Sequence, residues 1–202
     1  MWKVGILGAG YIAVHHVNAL KLMPNVEIVA ICDRNVHQAQ SLKKLIKNDA
    51  SIYSTLDEML QQKNLDVVHV LLPPDLHFMT AEQTLRAGKH VFIEKPMCID
   101  VKDCQSLCEL AQSKNRQIGV NQNFLYYEIY KKLKQCLSDG EIGPLDHLMG
   151  FTDCHFIQIQ GTRGIRVAAE DKNIFFKIYL RKANPASRFD CMGFKSICQR
   201  DP

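Results

Sequence analysis

Residues 8–13 read Gly-Ala-Gly-Tyr-Ile-Ala, the spacing G-x-G-x-x-A, between a short apolar run and a stretch of helical periodicity. Each small residue answers a physical need. Gly8 permits a tight turn, Gly10 lets the backbone approach a pyrophosphate, and Ala13 is small enough for helix and strand to pack closely. The amides that open the helix, those of Tyr11 and Ile12, then face phosphate oxygens together with the helix dipole. Asp33 stands 25 residues beyond Gly8, at the end of the second apolar run. A carboxylate there accepts hydrogen bonds from the adenosine ribose hydroxyls and repels a 2′-phosphate, which favours NAD over NADP. Arg34, next door, softens that preference. A glycine-rich turn without a ligand is the plain alternative, and the strand, helix and carboxylate around this one weigh against it.

A second group, Glu94-Lys95-Pro96, follows the strand-like run 91–93. In a doubly wound sheet, ligands sit outside the carboxyl ends of strands, so both Glu94 and Lys95 are placed beside the cofactor. A lysine there can polarise or protonate a carbonyl oxygen as hydride moves. Pro96 fixes the turn, with a cis bond as one way to do so. The competing reading of Lys95 is a solvated surface lysine.

The elements that must position these groups alternate in type. Strand-like runs at 3–7, 26–32, 52–53, 65–72, 91–93 and 117–120 are separated by helical patterns at 11–23, 33–47, 56–62, 78–88 and 100–114. That alternation predicts an α/β, Rossmann-type parallel sheet with crossover helices over residues 1–122. Ser54 or Thr55 caps the third helix and Asp100 the fifth. A linking helix at about 126–137 occupies the segment 123–143, Gly143-Pro144 marks a boundary, and the chain extends through 145–151 into the stub of a second α+β domain, 144–202.

The order G-x-G-x-x-A, Asp33, P-P-D-L-H (73–77), V-F-I-E-K-P (91–96), G-V-N-Q-N-F (119–124) and D-G-E-I-G-P (139–144) resembles the glucose–fructose oxidoreductase / inositol dehydrogenase family (Gfo/Idh/MocA) over about residues 2–151. The resemblance implies an oxidoreductase that moves hydride between NAD or NADP and a sugar- or cyclitol-like alcohol or ketone. It implies that Lys95 is the catalytic proton-transfer group, acting with a later Asp/His pair. Pro73, Pro74 and His77 would border the nicotinamide, and Asn121 and Asn123 would lie near nicotinamide and substrate. Such enzymes carry a large second domain with substrate contacts and usually the oligomer interface, so a homo-oligomer is implied as well. The family often has proline where Glu128 stands.

Only 51 residues follow Phe151, and no histidine follows His155. The family's D-x-G-x-H motif is not recoverable, since residues 189–195 place Lys195 where its histidine would stand. The chain is therefore expected to be truncated in the second domain, with slow or no turnover, and residues from about 160 read as a replacement or out-of-frame tail. Residues 1–150 balance 16 basic against 16 acidic side chains, whereas 151–202 hold 9 against 5 and thus the whole net +4. The segment 173–180 (NIFFKIYL) reads as one strand or a short helix. The rival to an enzyme is a nucleotide-binding protein of the same fold without turnover, and a scaffolding role is a third class.

Composition sets the remaining limits. A chain 47% hydrophobic and 23% charged can bury a core, and its first 150 residues show no basic stripe for nucleic acid. No apolar run approaches the roughly 20 residues that span a bilayer, and no signal peptide is expected, since residues 1–8 run straight into a strand-and-glycine pattern. Eight cysteines without a C-x-x-C pair read as reduced thiols of a cytoplasmic protein, and Cys104 with Cys108 supply too few ligands for zinc. No metal is expected. His15 and His16 point to different faces of one helix and cannot share a metal, and His69 reads as a satisfied core or near-surface histidine. Tyr126, Tyr127 and Tyr130 read as packing residues.

Overall fold

The computed structural model describes residues 1–46, 48–140, 147–151 and 156–160. Its contacts fall into two units, Met1–Gln122 and Asn123–Pro202.

The first unit is one six-stranded sheet. The strands are β1 (Trp2–Leu7), β2 (Val26–Cys32), β3 (Ser51–Tyr53), β4 (Val67–Val70), β5 (His90–Ile93) and β6 (Ile118–Val120). All neighbours are parallel, in the order β3-β2-β1-β4-β5-β6. The order reverses between β1 and β4, which opens a crevice at their carboxyl ends. The crossovers are α1 (Tyr11–Leu20), α2 (Val36–Lys43), α3 (Leu56–Leu60), α4 (His77–Arg86) and α5 (Val101–Ser113).

Burial follows the two faces of the sheet. Val4, Ile6, Ile28 and Ile31 pack with Ala13 and Val17 of α1 and Ala39 and Leu42 of α2. Leu7, Val68, Val70, Val91 and Ile93 pack with Met59, Leu85, Leu107 and Ala111 of α3, α4 and α5. Such alternation is what a strand covered on both sides requires. A register shift interrupts it: Val4 pairs with Ile28 but Gly5 with Ala30, so Val29 is an extra residue in β2. Val29 and Ala30 consequently join the same core cluster, as a bulge dictates.

Local sequence sets most element starts. Asn35 caps α2 through the amides of His37 and Gln38. Thr55, rather than Ser54, caps α3 and forms a reciprocal box with Glu58. Asp100 caps α5. Several ends are tighter than the pattern predicts. The apolar run 65–72 contributes only Val67–Val70 to β4; the Leu71 N–H still bonds the Leu7 carbonyl, and the chain then turns into the Pro73-Pro74 segment. Helix α1 stops at Leu20, since Leu22 and Met23 turn back onto Ala19 and Leu20. Helix α2 stops at Lys43, because the amides of Leu45 and Ile46 fold back three residues onto Leu42 and Lys43.

The second unit contains a 3-10 turn at Asn123–Tyr126, α6 (Glu128–Ser138), and an antiparallel pair, β7 (His147–Phe151) with β8 (Phe156–Gln160). The linking helix thus begins at Glu128, two residues later than periodicity suggests. Phe124 makes ring contacts with Tyr127 at 5.5 Å and Tyr130 at 6.2 Å. Tyr126 departs from the packing expectation, being 71% exposed in the tight turn before α6. The boundary at Gly143-Pro144 and everything expected of residues 161–202, including 173–180 and Lys195, lie outside the described residues.

Candidate functional site

The glycine turn hangs from β1 at the point where strand order reverses. Gly8 has φ +95°, and a Cβ there would meet the Leu71 carbonyl oxygen at 2.6 Å, so only glycine fits. Gly10 is different: its φ is −74°, and a Cβ on it would meet nothing within 4 Å. The space above Gly10 is open. Helix α1 has no side-chain cap and no acidic residue in its first turn, whereas α2, α3 and α5 are each capped by a side chain. An uncapped, acid-free helix start beneath open space fits a bound pyrophosphate. Tyr11 is 82% exposed there, edge-on to His15.

Asp33 follows β2 and is already engaged. Its Oδ2 accepts from the Ala9 amide at 2.6 Å and its Oδ1 from the Asn35 amide at 2.7 Å. The carboxylate therefore locks the glycine turn to the start of α2, and each oxygen keeps a lone pair for a further donor. Arg34 beside it is exposed. An open cleft of about 290 Å³ runs between α1 and α2, from Ala9 and Val14 to His37 and Leu45. None of its lining residues belongs to the Lys95 turn.

Pro73 and Pro74 are exposed after β4, with Pro74 opening the 3-10 turn Pro74–Leu76. His77, the next residue, is fully buried. Its Nδ1 lies 2.8 Å from the Pro96 carbonyl oxygen and its Nε2 2.8 Å from that of Leu72. A protonated ring donates to both and a neutral ring to one. What His77 brings to the site is therefore loop geometry, since it ties the Pro-Pro segment to the Lys95 turn and has no nitrogen left over. Lys95 is exposed at the carboxyl end of β5, and the Lys95–Pro96 bond is cis. Asn123 is exposed at the start of the turn in the second unit.

One cluster escaped sequence reasoning. His16 Nε2 lies 2.9 Å from Glu94 Oε1, with side chains 7% and 11% exposed. The Asn121 amide donates to the same Oε1 at 2.6 Å, and the Lys95 N–H donates to Glu94 Oε2 at 3.2 Å. His16 Nδ1 lies 3.1 Å from His69 Nδ1, so one of those nitrogens carries the proton and the other accepts it. A signal was present: His16 shares the buried stripe Ala13, His16, Val17, Leu20, and a polar residue on such a stripe needs a partner.

The electrostatics follow from this packing. Burial pushes the Glu94 carboxyl up, but the bonds from Asn121, His16 and the Lys95 amide outweigh it and hold the group below its usual range. Burial, with His16 acting the same way, pushes His69 down to about 3. The unfolded chain therefore takes up a proton below about pH 6.5 that the folded chain refuses until about 3. Stability from His69 is whole above pH 6.5 and is lost as pH falls toward 3, with Glu94 adding a further loss below its ordinary 4.5. Between pH 7 and 5.5 the loss should be roughly 1 kcal/mol. Urea midpoints at those two pH values check it, and an equal pH slope in His69→Asn would contradict the assignment.

Burial pushes the Cys32 thiol up to about 11 and the Cys98 thiol up to about 12, so neither is a thiolate nucleophile near neutrality. Among the described residues, no group of three His, Cys, Asp or Glu side chains could hold a metal ion. No described helix is long and apolar enough to cross a membrane.

Comparison with known proteins agrees with this geometry. Residues 2–122 match the family described as "Oxidoreductase family, NAD-binding Rossmann fold". An uncharacterised oxidoreductase of Schizosaccharomyces pombe is 34% identical over 145 residues, 71% of this chain and 39% of its own length. Inositol 2-dehydrogenase of Salmonella typhimurium is 33% identical over 144 residues, 70% of this chain and 43% of its own. The WlbA dehydrogenase of Bordetella pertussis, solved with NADH and UDP-GlcNAcA, superposes with a TM-score of 0.67 at 26% identity, covering 71% of this chain and 41% of that one. KijD10, a 3-ketoreductase of Actinomadura kijaniata solved with NADP, gives a TM-score of 0.66 at 28% identity, with 71% and 46% covered. The chain spans about two fifths of the length of the curated relatives it matches. With the glycine turn, the strand order and the profile over residues 2–122 in agreement, the chain belongs to the Gfo/Idh/MocA family of oxidoreductases with an NAD-binding Rossmann fold.

Proposed function

We propose that this chain binds NAD(H) in preference to NADP(H) and takes part in hydride transfer between the nicotinamide and a sugar- or cyclitol-like alcohol or ketone. The observation that carries the reading is a shared rim. The uncapped glycine turn, the Asp33 carboxylate and the exposed Lys95 stand at the carboxyl ends of β1, β2 and β5, around the point where strand order reverses. An inositol 2-dehydrogenase among the relatives, and a dehydrogenase solved with bound UDP-GlcNAcA, support the substrate class.

The nicotinamide, when bound, supplies or accepts the hydride. The chain's own residues do the rest. The α1 amides of Tyr11 and Ile12 receive the pyrophosphate, and Asp33 accepts from the ribose hydroxyls with its remaining lone pairs. Pro73 and Pro74 flank the nicotinamide side, with Asn121 near it. Lys95 gives a proton to, or takes one from, the substrate oxygen. Assembly as a homo-oligomer and a cytoplasmic setting belong to the same reading, the latter suited to the five described cysteines, all free thiols.

Cofactor choice tests it. Titration of the purified chain with NADH and NADPH should give at least tenfold tighter NADH binding, because a 2′-phosphate would meet the Asp33 carboxylate. Equal or tighter NADPH binding, with Arg34 overriding Asp33, would reverse the assignment.

A further inference from the structure

Glu94 and Lys95 are neighbours in the chain, yet the structure gives them opposite environments. Backbone leaving a strand alternates its side chains, so Glu94 turns inward and Lys95 outward. Left to itself, a carboxylate beside a lysine on one turn would pair with the ammonium. Here three groups hold the Glu94 carboxylate inward, and Oε2 alone keeps a free lone pair. Oε1 accepts from Asn121 at 2.6 Å and meets His16 Nε2 at 2.9 Å, while Oε2 accepts the Lys95 backbone N–H at 3.2 Å. Lys95 forms no ion pair among the described residues.

We infer that His16 and Asn121 are positioning residues that sequester the Glu94 carboxylate, so that the Lys95 amine stays unpaired and available for proton transfer. The inference deepens the proposed function and rests on its assignment of Lys95. The arrangement draws on four places in the chain: His16 on α1, His69 in β4, Glu94 after β5 and Asn121 after β6. His69 contributes by fixing the His16 ring, since its Nδ1 lies 3.1 Å from His16 Nδ1 and one nitrogen must donate to the other. With His16 held on that side, its Nε2 presents a hydrogen to Glu94. A donor lost from Oε1 frees the carboxylate to swing toward the ammonium, and an ammonium paired with a carboxylate gives up its proton less readily.

The test is competitive acetylation of lysine amines with trace acetic anhydride at pH 8 in the full chain, read by mass spectrometry as the ratio of Lys95 to Lys102 labelling. Lys102 is exposed at the start of α5 and serves as the internal reference. In His16→Ala and Asn121→Ala the ratio should fall about threefold or more from the wild-type value. His16→Gln, whose amide can still donate to Glu94, should restore most of it. A purely structural role would lower the melting temperature of the alanine variants and leave the ratio unmoved. An unchanged ratio in folded Asn121→Ala, or an equal fall in His16→Gln and His16→Ala, overturns the inference. If His16→Ala does not fold, Asn121→Ala decides alone, since its side chain is only half-buried. NADH binding is measured on the same samples. Failure of the wild type to bind sinks the proposed function, whereas the labelling ratio still reports on how Glu94 is held.

Discussion

Replacing Gly10 with valine should weaken NAD(H) binding by roughly 100-fold or more, about 2.7 kcal/mol, while the chain still folds. The two glycines of the turn make this a clean experiment, because they are glycine for different reasons. Gly8 needs its positive φ and has the Leu71 carbonyl oxygen 2.6 Å from where a Cβ would sit, so any side chain there disturbs folding first. Gly10 has an ordinary negative φ and no atom within 4 Å of a built Cβ. A Cβ at position 10 therefore has room in the free chain, and the cost of valine to folding is only that of a poorer helix N-cap. The valine side chain occupies only the volume in which a pyrophosphate would approach the α1 amides. Isothermal titration with NADH, beside a thermal melt, separates binding from folding. Undiminished affinity in a folded Gly10→Val chain would show that the turn serves the fold alone.

Lys95→Ala should lower turnover of any polyol or sugar nucleotide that the chain oxidises by about 10²–10⁴-fold, with NADH affinity changed less than threefold. The range is that of removing one proton-transfer group, and the split is the informative part. Lys95 stands exposed beyond β5, with its carboxylate neighbour turned inward, so truncating it removes an amine without opening the core. Cofactor affinity rests instead on the α1 amides and Asp33, at the ends of other strands. A screen of polyols with NAD, followed at the nicotinamide absorbance, measures kcat and KM for both forms. A rise in KM alone would make Lys95 a binding residue, and equal kcat in the two forms would remove it from the chemistry.

Much of this architecture was legible in the chain because it is written in local terms. Asp100 and Thr55 cap helices through side-chain bonds that reach only two or three residues along. The alternation of apolar runs with helical periods gives the β-α order, and that order with short crossovers implies a parallel sheet. Element ends were less legible. Leu71 and Leu72 belong to the same apolar run as Val67–Val70, and nothing in composition says where the chain leaves its neighbours. The register shift at Val29 was invisible for a like reason, since a bulge depends on how β2 pairs with β1.

By itself, then, the sequence determined the glycine turn, the carboxylate at the end of β2 and the lysine at the end of β5, because each is fixed by residue type and by its place at an element's edge. Only the tertiary structure decided what holds them. His77 has its ring nitrogens on carbonyls of two loops, 5 and 19 residues away. Positions 16, 69, 94 and 121 meet in one buried cluster although as many as 105 residues separate them. Periodicity tells which face of an element is buried. Which polar groups then share that interior is set by the strand order that brings β4, β5 and β6 side by side, and a buried donor or acceptor must find its partner among whatever that order supplies.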